Sequence, residues 1–110
     1  MKEIRAIIRP QKLPRLREVL RSMPGFPGMT VSKAFGCGST LRHAPQNIKE
    51  ELVDFTEKVR VEIIAPDELV DALVDHIVQV ATTGQTGDGL VWVNDVQRAV
   101  FIRKTVGPDG

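Results

Sequence analysis

The sequence predicts an α+β domain with the element order β-α-β-β-α-β. Three observations predict it: stretches with apolar residues at every second position, stretches with apolar residues at helical spacing, and glycine or proline signals between them. Ile4, Ala6 and Ile8 alternate with Glu3, Arg5 and Arg9, a strand ended by Pro10. Leu13, Leu16, Val19, Leu20 and Met23 then recur as one face of a helix that stops at Pro24-Gly25. After the Pro27-Gly28 turn, Met29 to Phe35 reads as a second strand, broken by Gly36-Cys37-Gly38.

From Ser39 to about Thr56 no periodicity holds, although Ile48 to Leu52 could form one helical turn. A loop this long in so small a domain points to function or disorder. Alternation returns at Lys58 to Ala65, with Val59, Val61 and Ile63 on one side. Pro66-Asp67-Glu68 opens a second helix, with Asp67 as the expected cap and both acids suited to the dipole. Its apolar face is expected to hold Leu69, Val70, Leu73, Val74, Ile77, Val78 and Ala81. A fourth strand follows at Leu90 to Val93, then an apolar stretch from Ala99 to Ile102. This order is the ferredoxin-like split motif, an antiparallel sheet with both helices on one face. The opposite face is expected to carry Ile and Val and to be covered by self-association.

Composition bounds the function. The 110 residues fit a single domain, 1–110, with an ordinary 42% apolar and 26% charged content. A formal net charge of +1 argues against nucleic acid as a partner. Arg15, Arg17 and Arg21 cluster, but Glu18 among them suggests a solvated helix face. The single cysteine, Cys37, allows no intrachain disulfide and fits a reducing compartment. No apolar run is long enough to insert in a membrane, and the first residues lack a signal-peptide core, so a cytoplasmic location is expected.

Thr83 to Gly89, Thr-Gly-Gln-Thr-Gly-Asp-Gly, is the most informative segment. Glycine lets backbone N–H groups approach a ligand unobstructed, and several such groups in one turn cradle an anion, although on spacing alone a Gly-rich turn more often just makes a tight connection. Asp88 in such a loop would order the turn through its own hydrogen bonds.

With these segments in place, the chain resembles the P-II signal-transduction family. The resemblance rests on Ile4 to Pro10, Gly28 to Val31, Val53 to Phe55, Lys58 to Ile63, and Thr83-Gly84 followed by Gly87-Asp88-Gly89. It spans residues 1 to about 104. It implies a homotrimer of ferredoxin-like domains that binds adenine nucleotide (ADP, AMP or ATP) between subunits, often with 2-oxoglutarate. It further implies a loop, residues 37–57, that signals to a target protein such as a membrane transporter. The family's phosphate loop falls on Gly87, Asp88 and Gly89. Gly36 and Gly38 fall at the base of the long loop, and Gly28 and Met29 in the second-strand motif. Ile7 and Ile64 would flank the adenine, while Thr30 and Arg103 would reach in from the adjacent subunit. Lys58 matches the lysine that holds 2-oxoglutarate.

The departures are chemical. Where the family has two arginines and a lysine around the phosphates, this chain has Ser39, Phe101 and Leu90, and Thr40 replaces a glutamine that ligates Mg and 2-oxoglutarate. A charge-assisted contact is worth about 1.5–3 kcal/mol, so a ligand with less phosphate charge than Mg-ATP is favoured. Thr40 also argues against 2-oxoglutarate sensing. The chain has no tyrosine, which excludes uridylylation of the long loop. Arg42 to Pro45 and Glu50 to Phe55 resemble a P-II subgroup found beside heavy-metal efflux pumps. The tail from 104 to 110, with Val106 and Gly107-Pro108-Asp109-Gly110, lacks the cysteines of a related redox loop.

Two alternatives stand beside the nucleotide sensor. One is a trimeric interaction module that binds no nucleotide. The other is a metal-responsive regulator using Cys37 and His43, although zinc asks for about four ligands and only Glu50 and Glu51 stand near. No bound metal is expected, and Cys37 is read as a small packed residue. His76 is read as a surface or interface residue, and Trp92 and Phe101 as packing residues on strands. Phe101 could instead stack on a base. No nucleophile–base pair suggests an enzyme, and the acid pairs Glu50-Glu51 and Asp67-Glu68 suit loop solvation and helix capping.

Overall fold

The structure, a computed structural model, describes residues 1–38 and 55–103. Four strands, β1 (Lys2–Ile8), β2 (Thr30–Gly36), β3 (Thr56–Ala65) and β4 (Gly89–Asp95), form one sheet in the order β2-β3-β1-β4. All three pairings are antiparallel. Helices α1 (Leu13–Arg21) and α2 (Asp67–Ala81) complete the ferredoxin-like α+β fold. A short 3₁₀ turn at Pro10–Lys12 leads into α1.

The pairings follow from the alternation in sequence. Ile4 faces Ile63, Ala6 faces Val61 and Ile8 faces Val59, so one sheet face is aliphatic throughout. Leu16 and Leu20 of α1 and Val70, Leu73, Ile77 and Ala81 of α2 close over it as one core. Each fully buried aliphatic side chain contributes about 1.5–3 kcal/mol of transfer free energy.

Several expectations are corrected. The open face carries Ile7 and Ile64 but none of the valines of the paired strands, and charged residues stand between them. The period of two sends the strand valines to the helix side and leaves Glu3, Arg5, Ile7, Lys58, Arg60, Glu62, Ile64, Leu90 and Trp92 on the open face. Asp67 caps nothing with its side chain: Pro66 holds the N-cap position, and the Asp67 carboxylate instead accepts from the Met1 ammonium at 2.8 Å. Val78 lies at the rim of α2 and is half exposed. Cys37, one residue past the end of β2, is exposed rather than packed. Phe101 lies beyond β4, on no strand, and is 56% exposed; Trp92 does sit on β4. Helix α1 ends at Arg21, so Met23 packs against the core from the following turn. Among the described residues no helix is long and apolar enough to cross a membrane.

Candidate functional site

The glycine loop joins α2 to β4 at the end of the sheet where Ile8 pairs with Gly89. Gly89 takes φ +106, and a Cβ there would fall 1.7 Å from the Ile7 carbonyl oxygen. Only glycine allows the loop to lie against β1 at this point.

Asp88 is the hub of the loop. Its carboxylate accepts from the N–H groups of Thr83 (2.7 Å) and Gly84 (3.0 Å), from the Thr83 hydroxyl, and from Arg9 Nε at 3.2 Å. The Thr83 hydroxyl in turn accepts from Gln85 N–H at 3.2 Å. The Thr83 hydroxyl, followed by the Thr83 N–H, Arg9 and Gly84, holds the Asp88 carboxyl well below the usual carboxylate range. The turn-ordering role read from sequence is therefore what the geometry shows, with a basic partner added. The first half of the loop spends its N–H groups inward on this hub. The N–H groups of Thr86, Gly87 and Asp88 donate to no acceptor among the described residues.

Two cations meet the loop from the sheet. Arg9 Nη2 donates to the Thr86 carbonyl at 2.8 Å, and Lys58 Nζ to the Gly87 carbonyl at 2.6 Å. Lys58 is only 8% exposed, and among the described residues no carboxylate pairs with it. A Cβ on Gly87 would sit 3.3 Å from Arg9 Nη2 and 3.7 Å from Lys58 Nζ, so the bare glycine keeps the space before both cations open. Gly36 lies against the Lys58 stem, its built Cβ 3.5 Å from Cγ. Arg9, Gln11, Thr56 and Lys58 line a hollow of about 310 Å³ at this end. Ile7 lies at the same end, opposite Leu90 and Arg60. Gly38 is exposed two residues past β2.

The other predicted residues gather elsewhere. Gly28, Met29, Thr30 and Ile64 line a second hollow of about 480 Å³ together with Pro27, Glu3, Glu62 and Phe101. Ile64 pairs with Glu3, whereas Gly89 pairs with Ile8, five residues along β1. At strand rise the two groups are about 17 Å apart. Ile7 and Ile64 are four positions apart in the same register, about 14 Å, too far to enclose one adenine within a single chain. Arg103 is exposed and ends the second described segment.

Sequence reasoning missed Arg9, Glu3 and Glu62 as site residues. Arg9 meets the loop 79 positions away, a pairing with no local signature. Ser39, Thr40, His43, Glu50, Glu51 and the helical turn expected at Ile48 to Leu52 lie outside the described residues, as does the tail 104–110. Among the described residues no group of three His, Cys, Asp or Glu side chains could hold a metal.

Comparison with known proteins bears on the whole chain. The family model "Nitrogen regulatory protein P-II" matches residues 1–106. This chain belongs to the P-II family. Its similarity to nitrogen regulatory protein P-II 1 of Escherichia coli is 45% identity over 104 residues, covering 94% of this chain and 92% of the relative. The P-II proteins of Klebsiella oxytoca (44%) and Haemophilus influenzae (42%) match over the same shares of each chain. P-II membership makes the chain a regulatory signalling protein rather than an enzyme. All three relatives carry nitrogen-regulatory names, so the link to metal efflux finds no support.

Proposed function

We propose that this P-II chain is a cytoplasmic sensor that assembles as a homotrimer and binds an adenine nucleotide between subunits. The observation that carries it is the buried Lys58 ammonium, which lacks a carboxylate partner among the described residues and lies beside the glycine loop. An ammonium with one carbonyl as its partner has further N–H groups to donate, and an anion in the open space beside it takes them. Arg9 and the N–H groups of Thr86, Gly87 and Asp88 add donors of the same sense. The base belongs against Met29, Thr30 and Ile64 in the second hollow, with Phe101 at its rim toward the phosphates. Because the two groups lie about 17 Å apart in one chain, the loop of one copy meets the hollow of the next. Arg103 reaches in with that hollow.

Glu3 and Glu62 at the hollow, and Phe101, Leu90 and Ser39 in place of basic residues, favour AMP or ADP over Mg-ATP. The nucleotide biases the segment 37–57, which engages or releases a target protein. That bias requires the segment's two states to differ in nucleotide affinity. A second reading, a trimer that binds no nucleotide, draws on the same carboxylates. Isothermal titration with ATP, ADP and AMP, with and without Mg and 2-oxoglutarate, separates the two. Saturable binding near one ligand per chain, with ATP weakest, is expected; no heat with any nucleotide overturns the sensor.

A further inference from the structure

A trough between α1 and β2 adjoins the hollow above and shares Met29 with it. Leu13, Phe26, Met29 and Val31 form its apolar floor between α1 and β2, and Arg17 and Arg21 flank it, with a volume of about 320 Å³. Arg15 on the same helix is paired with Glu18 at 3.1 Å, but among the described residues neither Arg17 nor Arg21 meets a carboxylate. Both are exposed. They stand four residues apart, one helical turn, so their guanidinium groups rise from points about 6 Å apart. Val31 belongs to β2, an edge strand, and is 39% exposed.

We propose that this trough docks an acidic segment of a partner protein that presents one large apolar side chain between two carboxylates. The apolar side chain fills the floor and excludes water from it. The carboxylates take the two unpaired guanidinium groups, whose planar forks suit bidentate contact. Two carboxylates at i and i+4 of a helix, with the apolar side chain at i+3 on the same face, match the arginine spacing. The trough lies on the helix side of the sheet. Leu13, Arg17, Arg21 and Phe26 come from α1 and the turn after it, so only the Met29 edge borders the hollow that the proposed assembly covers.

The test is fluorescence anisotropy of a labelled Glu-Leu-Glu-Phe-Glu peptide against the full chain, with Lys-Leu-Lys-Phe-Lys as the control. Saturable binding of the acidic peptide only, weakened about tenfold or more in R17E/R21E, is expected. The neutral R17Q/R21Q variant should fall between, and circular dichroism checks that each variant keeps its fold. Three results overturn the proposal: equal binding of both peptides, no binding of either, or binding untouched by R17E/R21E. Association with phosphatidylserine vesicles in place of the peptide would also overturn it, assigning the arginines to a lipid surface.

Discussion

The two ends of the open sheet face are built on opposite plans. At the glycine-loop end Asp88 gathers four donors, and Arg9 and Lys58 close on the carbonyls of Thr86 and Gly87, while the N–H groups of Thr86, Gly87 and Asp88 stay unused among the described residues. At the other end, Phe101 and Thr30 are exposed around an open hollow with two carboxylates at its rim. Arg5, between those carboxylates, has a buried Nε that lies 3.1 Å from Glu3 without the alignment of a hydrogen bond. The first end is preorganised by its own side chains, with Lys58 unpaired among the described residues and Glu57 on the rim of the same hollow. The second is shaped but uncommitted. Neither makes a complete site alone, which is why the assembly enters the proposal.

The largest expected effect breaks the ordered end. Gly89→Ala drives a Cβ into the Ile7 carbonyl at a φ that alanine avoids, and should cost about 3 kcal/mol or more in urea denaturation. Gly84→Ala, also at positive φ (+80) but with nothing within 4 Å, should cost only about 1–2 kcal/mol. Equal losses would mean that the close approach to β1 is not what fixes the loop.

Phe101→Arg sharpens the contrast from the open end. It adds a cation beside Glu62 and the hollow, and should tighten ATP relative to AMP by about tenfold in calorimetry. An unchanged ratio would separate Phe101 from the phosphates.

Asp88→Asn tests the hub through pH. The folded carboxyl sits below its ordinary range, so its contribution is present above the ordinary value near 4 and fades as pH falls through the depressed one. The difference in melting temperature between the native chain and Asp88→Asn should be largest near neutrality and should shrink below about pH 4. A difference independent of pH would mean that the charge of Asp88 is not what orders the loop. The smallest effect belongs to Thr30→Ala. An exposed residue at the edge of the hollow, it should change stability by less than about 0.5 kcal/mol while lowering nucleotide affinity.

Much of the fold was legible because a period of two and a period near 3.6 are direct consequences of burial. Ile4-Ala6-Ile8 and Val59-Val61-Ile63 chose their face before any pairing was known. The site was legible where it is local. Thr83 and Asp88 share one loop, and Gly87 and Gly89 announce positive φ. It was illegible where it depends on register. Arg9 reaches Asp88 only because β1 lies beside β4, and the separation of Ile7 from Ile64 follows from pairing rather than composition. The open face was half legible for a related reason: Ile7 and Ile64 do lie on it, but the strand valines all point toward the helices.

The central claim is that the loop of one chain and the hollow of another make one nucleotide site. Lys58→Ala disables the first half and Ile64→Arg the second, and each variant alone should bind no ADP. Mixed in equal amounts and reassembled, random association should restore about a quarter of the sites, because a quarter of the loop–hollow pairs then join two intact halves. Recovery of about that fraction by ADP titration supports the split site. No recovery in verified mixed assemblies would contradict it.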